Sequence, residues 1–128
     1  MSNTKNKFLV EDLKKIDIAD DLKISPFRAD GITYGTPTWI WAVVVDGELF
    51  VRAYNGTDSR WFQSAIKQGA GRIHAAGKIF DVIFKMIYDR GLQKQIDEAY
   101  RNKYNKSPYL ASMTNSRAVA ATIKVNPK

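Results

Sequence analysis

Residues 39–61, WIWAVVVDGELFVRAYNGTDSRW, decide the fold. Asp46-Gly47 stands between two runs of strand-forming residues, and Asp and Gly tolerate the positive φ of a type I′ turn, so the stretch predicts a β-hairpin. In the second strand, side-chain alternation puts Leu49, Val51 and Ala53 on one face and Phe50, Arg52 and Tyr54 on the other. The first strand, residues 39–45, is apolar on both faces, the pattern of a central strand covered on both sides. Asn55-Gly56 then turns the chain. Thr57 or Asp58 can cap a following helix in which Trp61, Phe62, Ala65 and Ile66 form the buried stripe.

Upstream, residues 8–16 carry Leu9, Leu13 and Ile16 at helical spacing, predicting a short amphipathic helix that runs into Asp17, Asp20 and Asp21. Residues 22–24 read as a short strand and Ser25-Pro26 as its break, because the residue before proline is pushed out of the helical region. Residues 28–37, with two glycines, a proline and two threonines, read as a loop or as a short strand between turns. Polar loops ahead of a strong strand often line a site, so Thr36 is either a site residue or a turn residue.

Downstream, the helix is expected to stop at Gly69 and Gly71. Residues 72–75, the Ala76-Gly77 turn and residues 78–87 form a second hairpin, with Phe80, Val82, Phe84 and Met86 alternating against Ile79, Asp81, Ile83 and Lys85. Residues 92–104 make an amphipathic helix with Leu92, Ile96, Ala99 or Tyr100, and Tyr104 on its buried side. Ser107-Pro108-Tyr109 ends it and opens a loop through Asn115, after which residues 117–125 alternate as a closing strand. Five or six strands and three helices, joined by hairpins rather than helical crossovers, predict a single α+β domain, residues 1–128, on a barrel-like antiparallel sheet.

The 128 residues include no cysteine and one histidine, His74. Disulfides, thiolate metal sites, cysteine nucleophiles and a His-rich metal centre are thereby excluded, and no metal is expected. No apolar run approaches the roughly 20 residues that span a bilayer, and the first residues lack a signal-peptide core, so a soluble cytoplasmic protein is expected. The net charge of +7 favours anionic partners. Its carriers are dispersed, including Lys5, Lys14, Arg52, Arg60, Arg72, Arg101 and Lys103, which fits either a solvated surface or a phosphate site drawn from a few of them. No nucleophile elbow, P-loop, dinucleotide-binding glycine motif or zinc-protease motif is present, and GAGR at 69–72 precedes a strand where a phosphate loop needs a helix.

The cluster that carries chemistry is Arg52, Tyr54, Asn55, Gly56, Thr57, Ser59, Arg60 and Trp61. A helix N-terminus with free N–H groups, two arginines and several hydroxyls forms a sound anion site, and the aromatic rings can cover a flat ligand. A structural alternative stands beside it: Arg52 pairs with an acidic side chain, Thr57 and Asp58 only cap, and Trp61 packs in the core. His74, alone in a strand, reads as structural, whereas Tyr88, Tyr100, Tyr104 and Tyr109 fit ligand stacking, core or subunit-interface packing.

The ordered series TYGTPTWIWAVVVDG, ELFVRAYNGTDSRW, GAGRI, DEAYRNKY, SPYL and AATIKVNP resembles, from Ile16 to Pro127, a family of small uncharacterised bacterial proteins. That family in turn is similar to the flavin-binding split-barrel superfamily, which holds pyridoxamine-phosphate-oxidase-like proteins and deazaflavin-dependent nitroreductases. The resemblance implies a six-stranded split barrel, a homodimer, and FMN or a related flavin or deazaflavin at the subunit interface. It implies a phosphate held by Arg52 and the loop from Asn55 to Arg60, with Lys103 as a further partner.

The expected site therefore has Arg52 and Arg60 on phosphate, Ser59 and the Asn55-Gly56 backbone donating hydrogen bonds, and Trp39, Tyr54 or Trp61 against the ring. The cofactor would supply redox chemistry toward a small molecule, so no catalytic triad is required. The alternative from another class is a non-enzymatic module that binds nucleic acid or another anionic ligand through its basic surface and exposed aromatics.

Overall fold

The computed structural model describes residues 7–128. Its elements in chain order begin with α1 (Val10–Ile18), β1 (Lys23–Pro26), β2 (Thr38–Trp39), β3 (Ala42–Val45) and β4 (Glu48–Arg52). A 3₁₀ turn (Gly56–Asp58) leads to α2 (Arg60–Gln68), β5 (Ala70–Ala75) and β6 (Lys78–Met86). The chain then forms α3 (Arg90–Lys103), α4 (Leu110–Thr114), α5 (Ser116–Val119) and β7 (Thr122–Pro127).

Both expected hairpins form. Asp46 and Gly47 take φ of 51° and 75°, the positive values of a type I′ turn, and join β3 to β4 with Val43 opposite Phe50. Ala76 and Gly77, at 50° and 77°, do the same between β5 and β6.

Among the described residues seven strands make one antiparallel sheet in the order β2-β1-β5-β6-β7-β4-β3. Its two end strands, β2 and β3, are consecutive in the chain and separated only by Ile40 and Trp41. A link that short cannot span a flat sheet of seven strands, so the sheet curls into a half-barrel. The same junction corrects the strand count of six. Residues 39–45 are two strands, because the backbone changes partner at Ile40 and Trp41: β2 pairs with β1, and β3 with β4. β3 is thus an end strand and not a central one. It is apolar on both sides because Ala42 packs into the barrel and Val43 packs beneath a helix.

Among the described residues the helix count of three is corrected to five. Residues 107–115, expected as loop, contain α4. The expected closing strand from 117 starts only at Thr122, because the Asn115 side chain accepts from Ala118 N and begins α5.

Alternation in β4 sorts the core into two layers. Leu49, Val51 and Ala53 join Ile24, Ile73, Val82, Ile123 and Val125 inside the barrel, together with Leu13 and Ile16 of α1 and Phe62 and Ala65 of α2. Phe50 faces outward and packs with Ile96, Tyr100 and Tyr104 of the α3 segment. Each large apolar side chain taken out of water here contributes about 1.5–3 kcal/mol. Leu9 and Ile66, expected to be buried, are exposed: Leu9 precedes the first turn of α1, and Ile66 faces solvent on α2.

α2 ends at Gly69, whereas Gly71 lies within β5. Pro26 completes β1 instead of breaking it, lying opposite Gly71 with its carbonyl accepting from Gly35 N at 2.8 Å. The two backbones meet so closely there that a Cβ on residue 71 would stand 2.6 Å from Pro26 Cα and collide with the Ser25 carbonyl oxygen. Only glycine fits. Among the described residues no helix is long and apolar enough to cross a membrane.

Candidate functional site

Where the β2–β3 junction, the end of β4, the start of α2 and the α4 segment converge, a pocket of about 720 Å³ opens to solvent. Its walls are Thr38, Trp39, Ile40 and Trp41 from the junction, Arg52, Tyr54 and Asn55 from β4 and its exit, Ser59, Arg60 and Trp61 from α2, and Tyr109 and Met113. The volume lies within the roughly 300–1,000 Å³ typical of small-molecule sites.

Seven of the ten expected residues are brought together on this wall: Trp39, Arg52, Tyr54, Asn55, Ser59, Arg60 and Trp61. Thr36, Gly56 and Lys103 are not part of it. Thr36 Oγ1 accepts from Arg28 Nη2 at 3.2 Å, and Gly56 is buried against the side chain of Arg117. Lys103 donates to the Ala42 carbonyl at 2.7 Å, and burial lowers its pKa against the opposing pull of Asp17, Asp20 and Asp21. Sequence reasoning missed Thr38, Ile40, Trp41 and Met113 as wall residues and left Tyr109 among several open roles. The signal for Tyr109 was its aromatic ring beside a Ser-Pro break.

Arg52 is fully buried, and every donor of its guanidinium is engaged by the protein. Nε donates to Thr122 Oγ1 (3.0 Å), Nη1 to Asp97 Oδ1 (2.5 Å) and the Met113 carbonyl (3.0 Å), and Nη2 to Gln93 Oε1 (2.8 Å) and the Gln93 carbonyl (3.3 Å). Its Cζ also sits 5.3 Å from the centre of the Tyr100 ring. An arginine has five N–H groups, so none is left for a phosphate. For Arg52 the structural alternative holds, with Asp97 as the acid. Arg52 closes the pocket floor and ties β4 to α3, the α4 segment and β7.

The expected caps of α2 are also corrected. Thr57 and Asp58 belong to the 3₁₀ turn, and the N-cap is Ser59, whose side chain makes no capping bond. The first turn of α2 therefore keeps N–H groups uncapped by a side chain, contains no acidic residue and begins with Arg60. Among the described residues Arg60 makes no ion pair. This corner of the pocket is positive and has donors to offer.

The opposite character comes from rings. Trp39, Tyr54 and Tyr109 are 54 %, 46 % and 57 % exposed around one mouth, far more aromatic surface than packing alone accounts for. Tyr54 and Tyr109 meet edge to face at 6.2 Å, and Trp39 Nε1 donates to the Asp20 carbonyl at 2.9 Å, which fixes the indole. No carboxylate, histidine or lysine lines the pocket among the described residues.

Behind the wall, Tyr100 donates to the Trp41 carbonyl at 2.8 Å and Tyr104 to Asp20 Oδ1 at 2.9 Å. Burial raises both phenol pKa values, and at Tyr104 the Asp20 hydrogen bond raises it further. A folded-state pKa raised above the unfolded value of 10.0 favours the neutral phenol. That stabilisation is fully present below pH 10.0 and is lost as pH rises through the folded values. Alkaline unfolding is therefore expected to coincide with phenol ionisation in ultraviolet difference spectra. In Tyr104→Phe the fall of stability with pH above that point should be shallower by about one proton, and an unchanged slope would contradict this assignment.

Among the described residues, seven antiparallel strands curled into a half-barrel, with α1 and α2 packed against its inner face and α3 against the outward side of β3 and β4, make a split-barrel-like α+β fold. The fold is similar to the conserved hypothetical protein Rv2991 of Mycobacterium tuberculosis, with a TM-score of 0.64 and 12% identity over 100% of this chain and 84% of that one. It is also similar to a putative pyridoxamine 5′-phosphate oxidase of Listeria innocua, with a TM-score of 0.61 and 8% identity over 91% and 88% of the two chains. At these identities the likeness is one of fold. Among curated protein sequences nothing matches the chain. Residues 12–125 match the family described as "Uncharacterized protein conserved in bacteria (DUF2255)", and the chain belongs to that family.

Proposed function

We propose that the pocket binds a flavin-type mononucleotide, FMN or a related flavin or deazaflavin, and that the protein uses it to reduce a small molecule. One observation carries this reading: the uncapped α2 N-terminus and Arg60 share a 720 Å³ pocket with Trp39, Tyr54, Trp61 and Tyr109. A phosphate needs donors and positive charge, and a fused planar ring needs aromatic faces. Both are present in one cavity. The name of the Listeria innocua neighbour, a putative pyridoxamine 5′-phosphate oxidase, supports the same reading.

In this arrangement Arg60 and the first-turn N–H groups of α2 hold the phosphate, Ser59 and Asn55 add hydrogen bonds, and the rings of Trp39, Tyr54 and Tyr109 cover the cofactor and exclude water. Bound flavin supplies the redox chemistry. With no carboxylate, histidine or lysine on the wall among the described residues, any proton that the substrate takes up comes from water. The half-exposed rings leave one side open, and a second copy of the chain closing that side is the assembly we propose.

Titration with FMN, followed by quenching of flavin fluorescence, tests the reading. Binding at micromolar FMN is expected. Arg60→Ala should weaken it about tenfold, a loss of about 1.4 kcal/mol, while riboflavin, which lacks the phosphate, should bind wild type and variant alike. A protein that takes up no flavin at micromolar concentration, and instead binds oligonucleotides with a steep salt dependence, would shift the assignment to the anion-binding alternative.

A further inference from the structure

Trp41 lines the pocket, and its indole lies parallel to the Tyr104 ring, with centroids 4.0 Å apart and planes within 2°. Behind it the Tyr104 phenol, 8 % exposed overall, donates to a carboxylate oxygen of Asp20, a residue that is itself exposed. For plain packing, a phenylalanine at 104 would serve as well.

Indole and phenol are, in a chain without cysteine, the side chains that give up one electron most readily, and two aromatic faces in van der Waals contact exchange electrons easily. A phenol does so readily only when its proton has an acceptor. Asp20 is that acceptor, and its exposure lets the proton pass on to water. Lys103 Nζ, 5.4 Å from the Tyr104 ring centre, disfavours a second positive charge there, so the proton must leave with the electron. Two hydrogen bonds pin the pair: Tyr100 Oη to the Trp41 carbonyl at 2.8 Å, and Lys103 Nζ to the adjoining Ala42 carbonyl at 2.7 Å.

From this geometry we infer that Trp41 and Tyr104 form a one-electron relay from the buried Tyr104 phenol to an oxidising ring in the pocket, with the exposed Asp20 as proton acceptor. The inference rests on the proposed flavin-type occupant, and the oxidant is that ring excited by blue light. Trp41 gives one electron to the excited ring. Tyr104 then gives one electron to oxidised Trp41 and its phenolic proton to Asp20, which releases it to water. The ring is reduced by one electron, Tyr104 is left as a neutral radical, and Trp41 is restored.

The test illuminates protein equilibrated with FMN and reads the trapped radical by electron paramagnetic resonance. A neutral tyrosyl signal is expected in wild type, is lost in Tyr104→Phe, and is replaced by a tryptophan radical in Asp20→Asn, which keeps both rings. Trp41→Phe should lose the tyrosyl signal, while Tyr88→Phe, at an exposed tyrosine outside the pocket wall, keeps it. A signal that survives Tyr104→Phe, or that Trp41→Phe leaves unchanged, overturns the relay. Equilibrium dialysis in parallel reports whether FMN is bound. If it is not, flash-quench oxidation of the flavin-free protein by a soluble ruthenium photo-oxidant decides separately. A radical on Tyr104 then upholds the pair and refutes only the flavin occupant, and its absence refutes the relay.

Discussion

Arg52→Met is expected to lower the free energy of unfolding by about 3–5 kcal/mol, which in a domain of this size is a large part of the total. The substitution removes the partner of Asp97 and takes one donor each from the Met113 and Gln93 carbonyls, the Thr122 hydroxyl and the Gln93 amide oxygen, which keeps only its bond from Thr122 Oγ1. The cost is mainly that of groups left unpaired inside the protein rather than the worth of one ion pair. Two consequences separate this account from simple loss of volume. Arg52→Lys should recover little, because one ammonium cannot reach acceptors arranged around a planar fork. Arg52→Met combined with Asp97→Leu should recover a substantial part, because the orphaned charge goes too. Urea denaturation of the three variants measures all of this, and a double variant no more stable than Arg52→Met would contradict the mechanism.

Gly71→Val should be nearly as damaging, at about 3 kcal/mol, and Gly71→Ala should also destabilise strongly because the collision begins at Cβ. The obstacle is backbone on both sides of the contact, the Ser25 carbonyl and Pro26 Cα, which cannot swing away as a side chain would. Relief requires β1 and β5 to separate, and among the described residues β1 is the only strand hydrogen-bonded to β2. The pocket wall at Thr38 and Trp39 would be displaced with it, so thermal melting and pocket-ligand binding should fail together. An unchanged melting temperature in Gly71→Ala would show that the approach is looser than described.

Much of the barrel could be read from residue pattern because its signals are local. Asp46-Gly47 and Ala76-Gly77 announce their turns within a few residues, and period-two alternation assigns Leu49, Val51 and Ala53 to one side without any tertiary information. The break at Ile40 and Trp41 was hidden for a physical reason. A strand that turns the corner of a barrel stays apolar on both faces, so WIWAVVV looks continuous. α4 and α5 were hidden because helices of five and four residues have no room to show a period.

The site was only partly legible. Arg52, Arg60 and the aromatic residues were recognisable as a cluster because they adjoin one hairpin. The partners that remove Arg52 from phosphate binding lie 41 to 70 positions away, and pattern alone does not tell which residue of α3 faces which strand. Tyr109 and Met113 reach the pocket for the same long-range reason.

The position of β7 has a bearing on how the chain reaches this structure. β7 lies between β6 and β4, so Arg52 on β4 pairs with Thr122 across 70 residues of sequence, and the other Arg52 partners also come from the second half of the chain. The first hairpin thus gains its neighbour on that flank, and its buried arginine gains its partners, only after nearly the whole polypeptide is available. Loop closure over such distances costs entropy before any contact compensates it, which places the domain among slow, all-or-none folders. During synthesis β4 must wait, apolar and unpaired along the edge away from β3, for the last strand to arrive.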